Sequence, residues 1–217
     1  KVAFRSGIPI IGSVFGASAE EFASLSRKMQ DYGAEAVELN LSCPHAKGYG
    51  MEMGVDPEVV ANIIREVKSA VCIPVFAKLT PNTHRLIDVA KAAEEAGVDG
   101  IVAINTLKAM KIDVDMRRPV LSNRYGGLSG PAVRGVGVRC VYELYENLKI
   151  PVIGVGGVED WRSALEYMMA GAAAVQVGSG VGRVGAKVFG DICSGMASYM
   201  SENGFRDVTQ LVGVAHD

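Results

Sequence analysis

The feature that most constrains the fold of this chain is a strand and helix pattern that recurs at a nearly constant spacing. Three apolar segments begin with Ile-Pro, and they span residues 8–14, 73–79 and 150–156. Proline is tolerated at the first position of a strand, so each segment is predicted to be a short buried strand. The starting positions 8, 73 and 150 are 65 and 77 residues apart. A repeat this regular indicates a repeated architecture.

A second set of strands lies between the first, each directly after a glycine that ends a helical stretch. These strands span residues 33–40, 97–105 and 171–178. Glycine is favoured just past the end of a helix because it adopts the left-handed conformation at little cost. Helix starts are predicted from capping residues, namely Ser18 with Glu21, Asp56 with Pro57, Pro131 and Asp160. The chain therefore contains six predicted strand–helix units in three pairs.

Six alternating units with apolar strands predict an α/β protein whose parallel sheet is covered by helices. Two architectures fit this pattern, an open doubly wound sheet and a (β/α)8 TIM barrel. A barrel has eight units, so we expect a barrel that lacks its first two strand–helix units in this chain. Residues 1–217 would form a single, N-terminally incomplete domain, and about 65–80 further residues would precede Lys1, as a full barrel requires.

Composition argues against several functions. The chain carries 22 basic and 24 acidic residues, a net charge of −2, so it lacks the basic excess that binding to nucleic acid requires. No apolar run approaches the roughly 18–20 residues of a membrane span. Four cysteines without paired spacing predict free thiols and a cytoplasmic protein. The histidines His45, His84 and His216 lack the spacing of a metal site.

Chemically active side chains fall at the carboxyl ends of the predicted strands, where ligands bind in both architectures. They include a thiol, an amine and two amides. The residues of interest at these strand ends are Asn40, Cys43, His45, Lys78, Asn105, Thr106, Gly156, Gly157, Gly178 and Ser179. A strand with a purely structural end would finish in a turn residue alone. We therefore expect one ligand site along this edge.

Cys43 follows a strand end, in a loop that Pro44 stiffens. A thiol has a reference pKa of about 8.5 and can act as an acid or a base near neutral pH. The other cysteines, Cys72, Cys140 and Cys193, lie in apolar stretches and are predicted to be small buried residues. Cys43 is therefore the candidate for proton transfer.

Lys78 ends an otherwise apolar strand, and lysine is almost never buried without a partner. It either reaches solvent at the rim or is a fixed cation that faces an anionic cofactor or intermediate. Asn40 and Asn105 either cap loops or hydrogen-bond a ligand, and their matching positions at two strand ends favour the ligand.

Two glycine-rich strand ends, residues 156–157 and 178–179, close the seventh and eighth units if the first two are missing. Barrels commonly bind phosphate at these places, although tight turns alone would also need glycine. Residues 180–185 match G-x-G-x-x-G, but no strand ending in Asp or Glu follows about 20 residues later, so a dinucleotide site is rejected.

Two other segments have predicted secondary structure. Residues 107–123 are too long for a plain loop and predict an extra hairpin or lid. Residues 182–203 predict a last helix with a short tail.

The motifs at these positions resemble those of the class 1 dihydroorotate dehydrogenases. They are ELNLSCP at 38–44, KLTPN at 78–82, INT at 104–106, GGLSGP at 126–131 and GVGG at 154–157. The resemblance covers residues 8–182, and its cysteine, where a class 2 enzyme would carry serine, implies class 1. The segment RPVLSN at 118–123 resembles the NAD-linked 1B type, which works with an iron–sulfur and FAD partner subunit.

The resemblance implies a (β/α)8 barrel with bound FMN that oxidises dihydroorotate to orotate in pyrimidine biosynthesis, as a homodimer or a heterotetramer. Cys43 would be the catalytic base, and Lys78 would face the N1/O2 edge of the flavin. Substrate binding is assigned to Asn40, His45, Asn105 and Thr106, and FMN binding to Lys78, Ile104, Gly130, Gly156, Gly157, Gly178 and Ser179.

Two departures from the family pattern keep other functions open. His45 stands where the family usually has asparagine, and Cys-Pro-His together with Tyr125-Gly-Gly is similar to the dihydropyrimidine dehydrogenases that act on uracil and thymine. The family's first two strands, which supply a second lysine and a substrate-binding asparagine, are absent from this sequence. A tRNA dihydrouridine synthase and a non-catalytic barrel fragment are further alternatives. The net charge of −2 argues against the tRNA enzyme, which should need a basic face.

Overall fold

The structure is a computed structural model that describes residues 7–41 and 53–216. The chain divides into two compact units, Lys1–Val102 and Ala103–Asp217. Within the described ranges, helices alternate with six parallel strands, so the predicted α/β class is confirmed. The segments that begin with Ile-Pro and those that follow glycine each contain one of these strands.

Within residues 7–41 and 53–102, the first unit contains four parallel strands in the order β1-β2-β3-β4. Its strands are β1 (Ile11–Val14), β2 (Ala36–Asn40), β3 (Val75–Leu79) and β4 (Gly100–Ala103), whose last residue opens the second unit. Its helices are α1 (Ala19–Asp31), α2 (Pro57–Ala70) and α3 (Leu86–Glu95), with a 3₁₀ turn at Met53–Val55.

The register of β2 against β3 separates an apolar face from a polar one. Val37 pairs with Val75 and Leu39 with Ala77, and all four side chains are buried. The alternate residues of both strands point to the opposite face, because successive side chains of a strand alternate. This second face carries the polar residues of the candidate site.

Helix starts in the first unit follow the predicted caps. The Asp56 carboxylate accepts from the N–H groups of Glu58 at 2.9 Å and Val59 at 3.3 Å, with Pro57 as the first helical residue. The Ser18 hydroxyl accepts from the Glu21 N–H at 3.3 Å. The Glu21 carboxylate accepts from the N–H of Ala17 at 2.7 Å, one residue before the position that the capping box predicts.

The second unit contains two further parallel strands, a hairpin and four helices. Ile104 follows β4, and its N–H donates to the carbonyl of Val155 at 2.9 Å, so the chain leaving β4 runs beside the next parallel strand. The strands are β5 (Leu107–Ala109), β6 (Ile112–Asp113), β7 (Arg118–Pro119), β8 (Gly126–Leu128), β9 (Val152–Val155) and β10 (Ala172–Gln176). The helices are α4 (Arg134–Asn147), α5 (Trp161–Met169), α6 (Ser179–Val184) and α7 (Val188–Glu202), with 3₁₀ turns at Pro131–Val133, Val208–Leu211 and Val214–His216.

The long connection after β4 is a hairpin, as the sequence predicted. β5 pairs antiparallel with β8, and β6 pairs antiparallel with β7. The hairpin extends to Leu128, beyond the predicted end at Asn123, because residues 126–128 return to pair with residues 107–109.

The last helix predicted over residues 182–203 is confirmed for Val188–Glu202, but its first residues belong to a separate helix and the chain after it is not a plain tail. Gly185 has a φ of +80°, a conformation that ends a helix, and it separates α6 from α7. The residues after α7 form two 3₁₀ turns that pack on the protein. Leu211 is fully buried against Leu165 and Met168 of α5.

Two of the three cysteines predicted to be buried are exposed. Cys72 lies after the end of α2, where its N–H donates to the Gln30 side-chain oxygen at 2.7 Å. Cys193 follows the buried Ile192 but lies on the exposed side of α7. Cys140 on α4 is buried as predicted, and burial raises the pKa of its thiol.

In the part of the chain that the structure describes, no helix has both the length and the apolar character needed to cross a bilayer.

The burial of Leu211 makes the last segment a stabilising element. We expect Leu211→Ala to lower the free energy of unfolding by about 2–4 kcal/mol, because the truncation leaves a cavity against α5. Val208→Ala, in the same 3₁₀ turn but 41% exposed, should cost less than about 0.5 kcal/mol. Urea unfolding of both variants measures the difference, and equal losses would contradict the packing of this segment.

Candidate active site

The structure places the described members of the predicted site after or near the ends of parallel strands. In the first unit, Asn40 is the last residue of β2 and Lys78 lies one residue before the end of β3. In the second unit, the remaining members follow β4, β9 and β10 or precede α4, and they are Ile104, Asn105, Thr106, Gly130, Gly156, Gly157, Gly178 and Ser179. Cys43 and His45 lie outside the described residues, so their assignments stay predictions.

Asn40, Lys78 and Glu38 share one face of the sheet in the first unit. Asn40 and Lys78 are direct neighbours in the register of β2 and β3, and Glu38 lies two residues before Asn40 on the same face. The Lys78 ammonium is 3.3 Å from a carboxylate oxygen of Glu38. The side chains of Lys78 and Glu38 are 19% and 8% exposed, so Lys78 is a held cation and does not extend into solvent.

Glu38 was not among the predicted site residues, although its position in the sequence carries a signal. A carboxylate inside a strand is unusual, and its spacing of two residues from Asn40 predicts a shared face. A mostly buried carboxylate needs a paired cation, because desolvation otherwise penalises its charge. Glu38 and Lys78 therefore depend on each other.

The loop after β3 is held by a hydroxyl. Thr80 is buried, and its Oγ1 accepts from the N–H of Asn82 at 3.2 Å and from the Asn82 side-chain amide at 2.9 Å. This local ring of hydrogen bonds gives the segment that follows Lys78 a defined shape.

The segment after β4 is equally restrained in the second unit. Ile104 is buried, and the Asn105 side-chain oxygen accepts from the N–H of Thr106 at 2.8 Å. The Thr106 side chain packs against Gly127 of the hairpin so closely that a Cβ there would overlap it. Asn105 thus makes the loop-capping contact that the sequence left open, and its ligand contact stays a prediction.

Three glycine-rich loops of the second unit meet at one place. A Cβ at Gly157, whose φ is +73°, would lie 2.6 Å from the carbonyl oxygen of Gly130. A Cβ at Gly130 would in turn lie 3.7 Å from the hydroxyl oxygen of Ser179. Only glycine fits at position 157, so the loop after β9 contacts the turn before α4 through its backbone.

The turn after β10 completes this arrangement, which we call the glycine cradle (residues 130, 156, 157, 178 and 179). A Cβ at Gly180 would lie 2.6 Å from the carbonyl oxygen of Val158, so this turn packs on the segment after Gly157. Gly178 is exposed, and a Cβ there would meet open space. The cradle presents backbone groups and one hydroxyl without a carboxylate, a donor set that suits a phosphate.

Tyr167 is a second residue of interest that was not among the predicted site residues. It lies on α5 and is fully buried, and its hydroxyl donates to the carbonyl of Gly156 at 2.7 Å. No sequence pattern pointed to it, because a tyrosine on the buried side of a helix is ordinarily a packing residue.

In the first unit, parallel strands end near an amide and a paired lysine, and in the second unit the glycine cradle suits a phosphate. Each arrangement is typical of α/β enzymes, which bind their ligands at strand ends. A model of the dihydroorotate dehydrogenase family matches residues 1–200. The chain therefore belongs to the dihydroorotate dehydrogenase family. This membership confirms the predicted activity, that of a dihydroorotate dehydrogenase, an oxidoreductase of pyrimidine biosynthesis.

Curated relatives extend this match over the whole chain. The catalytic subunit of dihydroorotate dehydrogenase B (NAD(+)) from Thermoplasma acidophilum is 54% identical over 215 residues, covering 99% of this chain and 71% of that protein. The same subunit from Methanocella arvoryzae is 51% identical over 217 residues, covering 100% and 70%. That from Methanocaldococcus jannaschii is 48% identical over 213 residues, covering 98% and 69%. The resemblance to the NAD-linked type is thereby confirmed.

The Glu38–Lys78 pair can be tested through stability. Glu38→Gln and Lys78→Met should each lower the free energy of unfolding by about 1–3 kcal/mol, because each removes one member of a largely buried ion pair. The double variant should lose less than the sum, with a coupling energy of about 1 kcal/mol or more.

The exposed pair Lys187–Asp191 is the matched control, and its coupling energy should be only about 0.3–0.5 kcal/mol. Chemical unfolding of the single and double variants gives both coupling energies. A value at Glu38–Lys78 no larger than that of the exposed pair would contradict the held cation.

Proposed function

We propose that this chain oxidises dihydroorotate to orotate with FMN as the hydride acceptor, and that residues 1–217 belong to a single FMN-binding (β/α)8 barrel domain. The observation that supports the site best is Lys78. It is a cation one residue before the end of an otherwise apolar strand, held by Glu38 and adjacent to Asn40 in the register. Such a fixed positive charge suits an anionic cofactor or intermediate.

The reaction removes a proton from carbon 5 and a hydride from carbon 6 of the dihydropyrimidine, and a carbon–carbon double bond forms between them. FMN, when bound, supplies the acceptor for the hydride. Cys43 is proposed as the base, because it follows β2 by three residues and carries a thiol that can ionise near neutral pH. The Cys43 thiolate accepts the carbon 5 proton and becomes a thiol.

Lys78 is proposed to face the N1/O2 edge of the flavin. A preorganised cation stabilises negative charge at that edge and needs no rearrangement during the reaction. Glu38 supports this role, because the ion pair at 3.3 Å keeps the ammonium near the strand end.

The remaining residues divide between substrate and cofactor. Amide and hydroxyl side chains both donate and accept hydrogen bonds, as the N–H and C=O groups of a pyrimidine require, and we assign Asn40, His45, Asn105 and Thr106 to the substrate. The glycine cradle is proposed to hold the FMN phosphate, with Ile104 packing on the cofactor. Close contact of backbone with backbone at Gly157 and Gly130 supports a rigid cradle.

We also infer an electron-transfer partner that carries an iron–sulfur cluster and FAD, in a heterotetramer or beside a homodimer. The relatives are described as catalytic subunits, which implies that a second subunit completes the reaction.

The experiment that tests the proposed activity is anaerobic reduction of the bound flavin. Dihydroorotate should bleach the yellow absorbance faster than dihydrouracil, and the reverse order would favour a dihydropyrimidine dehydrogenase.

Cys43→Ala should retain FMN but slow flavin reduction by about 10²-fold or more, the usual scale for a positioned base. Cys43→Ser should keep part of the activity with its pH profile shifted to higher pH, because a hydroxyl ionises less readily than a thiol. Stopped-flow reduction by dihydroorotate measures both, with the exposed Cys193→Ala as control. Near-normal reduction by Cys43→Ala would remove Cys43 from the mechanism.

Lys78→Met should weaken FMN binding and lower the reduction potential of the flavin, because the anionic reduced form loses its partner. A redox titration against dyes of known potential measures the change. The substitution Lys187→Met, at an exposed surface pair, should leave the potential unaltered. An unchanged potential in Lys78→Met would count against contact with the flavin.

A further inference from the structure

Tyr167 links α5 to the loop after β9 through one buried hydrogen bond. Its side chain is fully buried, and the hydroxyl donates to the Gly156 carbonyl at 2.7 Å. A buried tyrosine hydroxyl needs an acceptor, and a buried or half-buried carbonyl needs a donor. The two residues are eleven positions apart, so the bond ties the helix to the loop that precedes it.

Two glycines make room for the Tyr167 ring. A Cβ at Gly154 in β9 would lie 2.5 Å from Cδ1 of the ring, and a Cβ at Gly137 on α4 would overlap the hydroxyl. Neither glycine has a positive φ, so the backbone conformation does not require glycine at these places. The space that Tyr167 occupies explains why glycine stands at both positions. β9 and α4 therefore both lack a side chain where the Tyr167 ring and hydroxyl lie.

The hydrogen bond also sets the direction of a neighbouring donor. Gly156 and Gly157 have φ values of +131° and +73°, a conformation that only glycine adopts readily. The peptide bond between them is planar and trans, so its N–H points opposite to its C=O. With the Gly156 carbonyl directed at Tyr167, the Gly157 N–H faces away from the Tyr167 hydroxyl.

The hydroxyl remains a donor over the working pH range. Burial raises the pKa of Tyr167, and the nearby Cys140 thiol raises it further, whereas Arg134 acts in the opposite direction. The contact with Gly156 is therefore a hydrogen bond from a neutral hydroxyl.

We propose that Tyr167 is a positioning residue for the glycine cradle, which it prepares for the phosphate of FMN by fixing the peptide plane between Gly156 and Gly157. This proposal rests on the proposed function. Tyr167 touches neither substrate nor cofactor in this assignment and acts only through the loop.

The test compares two flavins on the full chain after removal of its cofactor. FMN and riboflavin share the ring system and differ in the phosphate. Tyr167→Phe, which keeps the ring and removes only the hydroxyl, should raise the FMN dissociation constant by about 5–20-fold, since one positioning hydrogen bond is lost. The riboflavin constant should change less than about twofold. Quenching of flavin fluorescence measures both, and Tyr199→Phe on α7 is the matched control.

A second variant tests the same contact from the other side. Gly137→Ala should displace the hydroxyl and weaken FMN binding by a similar factor, because its Cβ overlaps the Tyr167 oxygen. In the Tyr167→Phe background the same substitution should cause a clearly smaller further loss, since the overlap with the hydroxyl is gone and only the contact with the ring carbon Cζ at 3.0 Å remains. Additive losses in the double variant would overturn the proposal.

Other outcomes separate this proposal from the proposed function. If the unsubstituted chain binds FMN and Tyr167→Phe binds it equally well, the role of Tyr167 is overturned and the function stands. Equal losses for FMN and riboflavin would also overturn it, since they would indicate general damage to the fold. If the unsubstituted chain binds no FMN, the proposed function fails and this role fails with it.

Discussion

The parallel register of β2 and β3 is the constraint on which the core and the site of the first unit both depend. It places Leu39 and Ala77 on the face that packs against the helices, and Asn40 and Lys78 on the other. Because the side-chain period of a strand is two, a slip of one residue would exchange these faces. Such a slip would turn Lys78 toward the core and away from Glu38. The register that builds the core therefore also holds the Lys78 ammonium.

Close packing around one aromatic ring has the corresponding role in the second unit. Gly154 and Gly137 leave the space that the Tyr167 ring fills, and the hydroxyl reaches the loop of the glycine cradle. Residues 208–213 pack against α5, the helix that carries Tyr167. Leu211 packs on that helix, and the Gly213 N–H donates to the Met168 carbonyl at 3.0 Å. These residues, which were predicted to be a short tail, thus stabilise the helix that contacts the glycine cradle.

Much of the fold could be predicted because its signals are local. The caps at Asp56 and Asp160 act within a few residues, and both open helices as expected. The six parallel strands follow from apolar runs bounded by proline or glycine. The predicted helix over residues 182–203 begins later than expected, at Val188, because Gly185 adopts a positive φ that interrupts it. The exposure of Cys72 was also beyond the sequence, because an apolar neighbourhood does not show which side of a segment meets the core.

For the candidate site, the sequence by itself determined which chemical groups stand at the strand ends, since Asn40 and Lys78 lie at or next to the ends of two predicted strands. Only the tertiary structure decided what holds them. The partner of Lys78 is Glu38, 40 residues away in the chain, and no local pattern encodes a contact between side chains on two strands. Tyr167 was equally hidden, because its role depends on the space that two distant glycines leave. Residue type and spacing report local preferences, whereas pairing and positioning arise only when folding brings distant segments together.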